Sequence, residues 1–346
     1  TKDYMSRIRG GHNFIKIRFG DEEITGPKDD IDILVALNEE TVDLHKEELS
    51  PDGIILYEEN PDNEDNIVSL PATDIASDIN IKGLNTVYIG AALKLMGLKL
   101  ETCKEVIAEH FDKEKIIEDN KKLLEAGFEE VDTELEAPVV EKEIDDLYLN
   151  GNEAIGAGAL MGGVQFYTAY PMSPSTGILG YLAQKQTDTN LVVEQAEDEI
   201  GAINMALGAS YSGVRAMTGT SGGGLSLMAE TVGLAGITET PLVIAEVQRP
   251  GPATGLPTRT EQGDLSFTVN ISQGEFPIMV ISPRDQEDAF YQAIRALNLA
   301  EKYQIPVVLL SDQFLGDSAK NVPQFDFDKI ESKRYLADPD DYTDKE

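Results

Sequence analysis

Cysteine, histidine and tryptophan are scarce in this chain, and the scarcity excludes several classes of site. The 346 residues include one cysteine, Cys103, and no tryptophan. A single cysteine excludes a disulfide framework, and it excludes this chain as the sole ligand set of an iron–sulfur cluster. The three histidines, His12, His45 and His110, do not have the spacing of a zinc site. We therefore expect no metal centre built from this chain alone.

Positive charge is also scarce. The chain has 63 acidic residues against 28 lysines and arginines, which gives a formal net charge of -35. Such an excess of negative charge repels phosphate backbones and anionic lipid head groups, so nucleic acid and membrane surfaces are excluded as partners. No run of apolar residues approaches the length of a membrane span, and no signal peptide is recognisable. We expect a cytoplasmic protein, whose acidity reflects either a salt-rich cytoplasm or simple solubility.

Changes in composition along the chain suggest two domains, and its length allows a core in each. Strand and helix patterns alternate over residues 1–120, which we assign to a first α/β domain. Residues 121–147 are highly charged and are assigned to a charged linker preceded by the tail of a helix, because such a stretch buries little apolar surface. Residues 148–320 are predicted to form the second domain, followed by a polar tail over residues 321–346.

Three predicted strands in the second domain lead into polar loops and then into helix patterns. The strands are predicted over Val164–Ala169, Leu191–Val193 and Arg215–Thr220. The loops after them are rich in proline, acidic residues or glycine, and comprise Tyr170–Thr176, Gln195–Glu199 and Ser221–Gly224. Parallel strands present their carboxyl ends at one edge of a sheet, where open α/β sheets bind ligands. The sequence therefore predicts a parallel sheet with a ligand site at this edge.

Two further patterns concern local structure. Apolar residues recurring over Asn13–Phe19 predict a strand. Gly156 and Gly158 suggest a dinucleotide-binding loop, but they lie inside a helix pattern rather than between a strand and a helix. We interpret these glycines as a place where a helix comes close to the sheet.

The motifs at the predicted ligand edge resemble those of the α subunit of 2-oxoacid:ferredoxin oxidoreductases. The similar segments are Tyr170–Thr176, Gln195–Ile200 and Thr218–Gly224, and the similarity covers nearly the whole chain. It is greatest for the 2-oxoglutarate type, in which a γ-type domain is fused at the N-terminus. The resemblance implies an α/β protein whose N-terminal γ-type domain is followed by a doubly wound, mostly parallel pyrimidine-binding domain for thiamine diphosphate. It also implies that the start of the γ-type domain and the later α-subunit domains are missing, in keeping with Thr1 in place of an initiator methionine.

The resemblance further implies roles for individual residues. Glu199 matches the glutamate that hydrogen-bonds the aminopyrimidine, Arg249 matches the arginine that binds the substrate carboxylate, and Ser173 replaces a substrate-contacting threonine. The positions matched to cofactor contacts are Tyr170, Pro171, Thr176, Glu199, Ser221, Gly222 and Gly223. Structural alternatives stay open: Glu199 as a first-turn acid stabilised by the helix dipole, Arg249 as a surface residue, and Ser173 as a cap. The glycines after Ser221 also suit a plain tight turn.

With a β subunit, the resemblance implies oxidative decarboxylation of a 2-oxoacid to an acyl-CoA, with coenzyme A as co-substrate and ferredoxin as electron acceptor. Thiamine diphosphate is then shared with the β subunit, which supplies Mg²⁺ because this chain has no Gly-Asp-Gly segment followed by asparagine. The β subunit also supplies the 4Fe–4S cluster, because this chain has no set of cysteines to hold one. Similarity alone favours 2-oxoglutarate over pyruvate or branched and aromatic 2-oxoacids. Two other hypotheses are another thiamine-dependent enzyme, such as a transketolase or acetolactate synthase, and a non-enzymatic module that binds acyl-CoA or nucleotide.

Overall fold

The computed structural model describes residues 1–7, 9–60, 63–132, 135 and 145–336. The chain divides into two compact units, one of Thr1–Lys16 together with Ile144–Glu346 and the other of Ile17–Glu143. The first 16 residues thus belong with the C-terminal unit rather than with the residues that follow them. Within the described residues, no helix has both the length and the apolar character needed to cross a membrane.

The N-terminal segment contributes two short strands that pair antiparallel, β1 (Lys2–Asp3) and β2 (Phe14–Ile15). The strand predicted over Asn13–Phe19 is therefore wrong beyond Ile15. The side chains of Ile17 and Phe19 are 78% and 46% exposed, so the apolar pattern that suggested a longer strand does not cover a core.

The unit of Ile17–Glu143 is a three-stranded parallel sheet packed against helices. Its elements are β3 (Ile31–Val35), α1 (Glu39–His45), β4 (Leu49–Tyr57), β5 (Ile67–Ser69), α2 (Ala72–Ile79), α3 (Leu84–Leu95), α4 (Leu100–His110) and α5 (Glu114–Glu129). Leu56 of β4, Val87 of α3 and Leu123 of α5 meet in its core. The sheet is therefore covered by the helices that follow it in sequence.

Helices α3 and α5 cross where each has a glycine. A Cβ atom on Gly90 would lie 2.1 Å from the carbonyl oxygen of Leu124, and one on Gly127 would lie 2.0 Å from that of Val87. Helix α5 extends to Glu129, so residues 121–129 of the segment assigned to the linker are helical, and the expectation of little buried apolar surface is wrong for Leu123 and Leu124. Of that segment, residues 133–134 and 136–144 lie outside the described residues, as do residues 337–346 of the predicted tail.

We expect Gly90→Ala to destabilise the Ile17–Glu143 unit, because the backbones of α3 and α5 would have to separate. The free energy of unfolding should fall by about 1–3 kcal/mol, the usual cost of overpacking a core. Chemical denaturation of the two variants provides the test, with Gly180→Ala as the matched control, since the Cβ position of that helical glycine is open. Equal stability of both variants would contradict the proposed role of this crossing.

The unit that contains the C-terminal residues is built on a six-stranded, wholly parallel sheet. Its remaining elements are β6 (Leu147–Asn150), α6 (Gly151–Met161), β7 (Phe166–Ala169), α7 (Thr176–Lys185), β8 (Val192–Gln195), α8 (Glu199–Tyr211), β9 (Ala216–Thr220), α9 (Gly222–Ile237), β10 (Leu242–Gln248), α10 (Leu265–Thr268), β11 (Met279–Ile281), α11 (Gln286–Tyr303), β12 (Pro306–Asp312), α12 (Gln313–Asp317) and β13 (Ala319–Val322). The sheet has the order β11-β12-β10-β9-β7-β8, and β6 pairs separately with β13.

Alternate residues of the central strands face two different cores, as the two-residue period of a strand requires. In β10, Val243 and Ala245 pack with α6 and α11, whereas Leu242 and Ile244 pack with α8 and α9. Both faces of the sheet are therefore covered by helices. The predicted doubly wound α/β class is confirmed.

The three strands predicted before the polar loops are also confirmed, each within two residues of its predicted bounds. Gly156 and Gly158 lie inside helix α6, which agrees with rejecting a dinucleotide loop. The interpretation that they bring a helix close to the sheet is wrong for Gly158. A Cβ atom there would lie 2.1 Å from the carbonyl oxygen of Phe290, so this glycine permits contact with helix α11.

The sheet order creates a switch point between β7 and β9. From β7 the chain passes through α7 to β8 on one side, and from β9 it passes through α9 to β10 on the other. Helices α7 and α9 pack in different cores, on opposite faces of the sheet. The carboxyl ends of two such strands border a crevice in which open α/β sheets bind their ligands. The loops that begin at Tyr170 and Ser221 border this crevice.

Candidate active site

The loop between β7 and α7 is fixed by hydrogen bonds to its backbone. The Ser175 hydroxyl donates to the carbonyl of Met172 at 2.8 Å, and the Asn152 side-chain amide donates to the carbonyl of Pro174 at 3.0 Å. Asn152 is buried at the start of α6, so the first helix of the unit holds this loop. The Thr220 hydroxyl, at the end of β9, lies 3.9 Å from the sulfur of Met172. The loop thus contacts the neighbouring strand end.

The cofactor-contacting residues predicted in this loop differ in exposure. Tyr170 and Thr176 are exposed, whereas Pro171 is half-buried. Thr176 begins helix α7. These residues therefore form an accessible rim around the crevice, and their contacts with a cofactor stay a prediction.

Glu199 is the buried member of an otherwise exposed group of acids. Asp198 caps helix α8 by accepting from the backbone amide of Gly201 at 2.7 Å, and Glu194 and Glu197 are exposed. The Glu199 side chain is enclosed at the first residue of the helix, leaving the residue 4% exposed, and its Oε1 atom has no hydrogen-bond partner. A buried acceptor without a donor is costly, even where the helix dipole favours its charge. This oxygen therefore lacks the donor that a ligand could supply.

Helix α9 makes room for Glu199 through a glycine. A Cβ atom on Gly224 would lie 2.0 Å from Oγ1 of Thr220 and 2.9 Å from Cγ of Glu199. Ser221 precedes the helix, is fully buried, and has a hydroxyl without a hydrogen-bond partner. Gly222 and Gly223 are half-buried beside it. The glycine segment therefore also provides space for the Glu199 side chain, because Gly224 has no Cβ atom.

If the complete assembly has the activity that the resemblance implies, replacing Gly224 with alanine should displace Glu199 and lower that activity on the order of 10²-fold, the usual effect of moving a reacting group by about 1 Å. Steady-state kinetics with a 2-oxoacid would measure the loss. Gly208→Ala in helix α8 is the matched control, since nothing lies within 4 Å of its Cβ position. Similar activity in the two variants would show that space beside Glu199 is not required.

Arg249 follows strand β10 and is brought to Ser173, the other residue predicted to contact substrate. Its Nη1 donates to the backbone carbonyl of Ser173 at 2.6 Å, and its Nε has no partner. Arg249 is 6% exposed, so the surface alternative is excluded. Burial lowers the pKa of Arg249, whereas the nearby carboxylates of Glu246 and Glu199 raise it. Arg249 and Ser173 are therefore in contact, and the contact is made by the backbone carbonyl of Ser173. A role for the Ser173 hydroxyl stays a prediction.

Sequence reasoning missed two acids beside this site, Glu246 and Asp264. Glu246 lies in the middle of β10 with no exposed surface, and its Oε1 accepts from the backbone amide of Gly222. Burial raises the pKa of Glu246 well above its ordinary value, and the charge of Asp264 adds to the effect. The signal in the sequence was a lone acid within the apolar run of a buried strand.

The described part of the chain contains no cluster of three or more histidine, cysteine or acidic side chains suited to a metal ion. The site consists of the buried carboxyl groups of Glu199 and Glu246, the buried guanidinium of Arg249, a glycine turn and a proline-containing loop held by hydrogen bonds. These groups can hold a polar ring and an anionic group next to each other.

Two family profiles match the chain. The thiamine diphosphate-binding profile of pyruvate flavodoxin/ferredoxin oxidoreductases matches residues 157–345. The profile described as pyruvate ferredoxin/flavodoxin oxidoreductase matches residues 1–130. The first match contains all the strands and loops of the site described above.

Individual relatives agree with these matches. The chain is 32% identical to the α subunit of a 2-oxoacid:ferredoxin oxidoreductase from Sulfolobus sp, over 96% of this chain and 63% of the relative. It is 40% identical to the 2-oxoglutarate synthase subunit KorA of Methanothermobacter marburgensis, over 56% of this chain and 52% of the relative. The chain thus spans less than two thirds of the length of either relative.

A solved structure is similar over nearly the whole chain. It is the 2-oxoglutarate:ferredoxin oxidoreductase from Magnetococcus marinus, with 2-oxoglutarate, coenzyme A and succinyl-CoA bound. The TM-score is 0.88 at 32% sequence identity, over 96% of this chain and 61% of the other. The resemblance drawn from the three motifs is confirmed by these relatives and profiles.

Proposed function

This chain belongs to the pyruvate ferredoxin/flavodoxin oxidoreductase family, and from that premise we propose that it supplies the pyrimidine side of a thiamine diphosphate site in a 2-oxoacid:ferredoxin oxidoreductase. The complete enzyme would convert a 2-oxoacid and coenzyme A to an acyl-CoA and carbon dioxide while reducing ferredoxin. The relatives named for 2-oxoglutarate support that substrate over pyruvate or branched and aromatic 2-oxoacids.

The residues present fit the pyrimidine of the cofactor. The observation that carries the proposal is the buried Oε1 of Glu199, which lacks a hydrogen-bond partner at the carboxyl edge of the sheet. A pyrimidine ring nitrogen would pair with this carboxyl group, and the absence of a side chain on Gly222 and Gly223 leaves their backbone accessible. When bound, thiamine diphosphate supplies the nucleophilic carbon and the electron sink that decarboxylation of a 2-oxoacid requires.

Glu199 would contribute by holding a proton between its carboxyl group and the ring nitrogen. By holding this proton at its carboxyl group, Glu199 would act as the general acid–base group of this chain. Its burial excludes water from the carboxyl group and strengthens the interaction.

Arg249 would bind the carboxylate of the substrate. Its Nε without a partner and its burial leave a donor that a carboxylate would satisfy with a charge-assisted hydrogen bond. Ser173 lies next to Arg249, because the guanidinium donates to its backbone carbonyl, and its hydroxyl would be a second donor to the substrate. A 2-oxoacid would therefore be oriented by its carboxylate while its keto group faces the reacting centre.

The remaining parts would come from a β subunit, which would hold Mg²⁺ and the diphosphate and carry the 4Fe–4S cluster. Exposed apolar side chains on the adjacent helices α8 and α9 are evidence for such a partner subunit. Both helices begin at the site, and both present large apolar side chains to solvent, with Ile237 81% exposed. The exposed members are Ile200, Met205 and Tyr211 of α8 and Leu227, Leu234 and Ile237 of α9. Apolar surface of this kind is typical of a surface that another subunit covers.

Purification of the complete assembly, followed by assays with a panel of 2-oxoacids, tests the proposal. We expect bound thiamine diphosphate and iron, coenzyme A-dependent ferredoxin reduction, and the highest kcat/KM with 2-oxoglutarate. A higher kcat/KM with another 2-oxoacid would refute 2-oxoglutarate as the substrate but not the proposed reaction. Thiamine-dependent carbon–carbon transfer without ferredoxin reduction would favour a transketolase-like enzyme, and acyl-CoA or nucleotide binding without turnover would favour a regulatory module.

A further inference from the structure

The two acids that sequence reasoning missed form a pair beside the glycine turn, in which Glu246 is buried and Asp264 is half-buried. Oε1 of Glu246 accepts from the backbone amide of Gly222, while its Oε2 is buried and has no partner. The side chain of Asp264 also has a buried oxygen without a partner, Oδ2, which lies 3.5 Å from the Cβ position of Gly222. Each acid thus has one oxygen that needs a donor, and both side chains lie next to Gly222.

One proton satisfies both oxygens at once. If both carboxylates were ionised, their two buried oxygens would lack a donor and the two charges would repel each other. If one carboxyl is protonated, it donates to the other, and each oxygen gains a hydrogen bond. Burial raises the pKa of both acids, and the interaction between the two carboxyl groups raises that of Glu246 further but lowers that of Asp264. Glu246, which has no exposed surface, is therefore the acid that keeps the proton.

The charged groups around the pair agree with this distribution. The Arg249 guanidinium stabilises negative charge on both acids and lowers their pKa values, which favours keeping one charge in the pair. Glu261, from the loop, raises the pKa of Asp264, and Glu199, from helix α8, interacts with Arg249. With one proton bound, the pair and Glu199 together present two negative charges to Arg249 instead of three.

We propose that Glu246 and Asp264 share one proton and that this pair is a positioning element for the substrate-binding arginine. Through Glu246 it joins strand β10 to the start of helix α9 at Gly222. Asp264 lies at the end of the long loop that begins at Arg249, so the pair also joins the end of this loop to β10 and α9. The backbone amide of Asp264 adds a second link to β10, because it donates to Oε1 of Gln248 at 3.0 Å. The shared proton thus closes the two ends of this loop against the glycine turn.

The positioning role rests on the proposed function, whereas the shared proton does not. Loss of the proton as the pH rises would place two negative charges next to each other, and the end of the loop would separate from the glycine turn. Arg249 would then hold a substrate carboxylate less well. The expected result is a KM for the 2-oxoacid that rises by about tenfold per pH unit once the pair ionises.

Infrared difference spectroscopy of the complete protein tests the proton directly. At neutral pH the wild-type protein should show the carbonyl stretch of a neutral carboxylic acid, and Glu246→Gln should lack it. Asp264→Asn should also lack this band, because the asparagine amide would donate to an ionised Glu246. This second variant provides the test if Glu246→Gln does not fold. Glu230→Gln, at an exposed position in α9, is the control and should retain the band. A wild-type spectrum identical to that of Glu246→Gln would overturn the proposal.

The pH dependence of KM tests positioning. Glutamine at position 246 can accept from Gly222 and donate to Asp264, as the protonated acid does, and it does not lose a proton. Glu246→Gln should therefore keep a low KM at alkaline pH, where that of the wild type increases, with little change in kcat. The same alkaline increase in both proteins would overturn the positioning role. An enzyme without 2-oxoacid activity would instead refute the proposed function, and the infrared result would still decide the shared proton.

Discussion

Glu199→Gln in the complete enzyme is expected to slow exchange of the thiazolium proton of bound thiamine diphosphate by about 10²–10⁴-fold, the range of general acid–base effects. Glutamine fills the same buried space beside Gly224, so the cofactor should still bind. Its amide, however, cannot exchange a proton with the pyrimidine ring nitrogen as a carboxyl group does. Quenched-flow transfer into deuterated solvent, read by NMR, measures the exchange rate.

The matched control for this experiment is Glu197→Gln. Glu197 lies two residues earlier in the same acidic segment but is exposed, so its charge is screened by solvent. We expect its removal to leave the exchange rate nearly unchanged. If Glu199→Gln exchanged as fast as wild type, Glu199 would be no more than a first-turn acid of helix α8.

Arg249→Lys should damage the enzyme although it conserves charge. A lysine cannot reproduce the flat, forked donor arrangement of a guanidinium, and it would also have to satisfy the Ser173 carbonyl. Disrupting a buried, charged hydrogen-bond partner costs about 2–4 kcal/mol, which corresponds to a fall of about 30- to 1,000-fold in kcat/KM for the 2-oxoacid. Steady-state assays at saturating coenzyme A and ferredoxin measure this loss.

A second arginine in the same region provides the comparison. Arg259 pairs with Asp3 at a more exposed position, so Arg259→Lys should change kcat/KM little. Reoxidation of the reduced cluster by ferredoxin should be unaffected in both variants, because it involves no substrate carboxylate. Equal damage to both half-reactions in Arg249→Lys would mean that this residue supports the structure rather than the substrate.

The parts of the fold that sequence could predict are those with a strong local signal. The strand before Tyr170 ends at a proline, and the strands before Glu199 and Ser221 lead into helix starts, so their bounds were found within two residues. The pattern over Asn13–Phe19 has apolar residues but no sheet to pair with beyond Ile15. Periodicity alone contains no information about the partner strand, which explains that error.

The candidate site divides in the same way. Glu199 and Arg249 were found because they lie within or close to recognisable motifs, and the structure adds that both are buried. The Glu246–Asp264 pair was missed because its members are far apart in sequence and become neighbours only when the long loop folds back to Gly222. The contact of Arg249 with the Ser173 carbonyl was equally hidden, since residue identity does not reveal which backbone atom a side chain will reach.

Titration of thiamine diphosphate, with Mg²⁺ present, into this chain alone and into its assembly with a β subunit tests the central claim most directly. The chain offers a pyrimidine site around Glu199, and its described residues contain no cluster suited to the metal that grips the diphosphate. Calorimetry should therefore detect stoichiometric binding by the assembly and no measurable heat for the chain alone at micromolar cofactor. Tight, stoichiometric binding by the chain alone would contradict a shared site and favour a single-chain binding module.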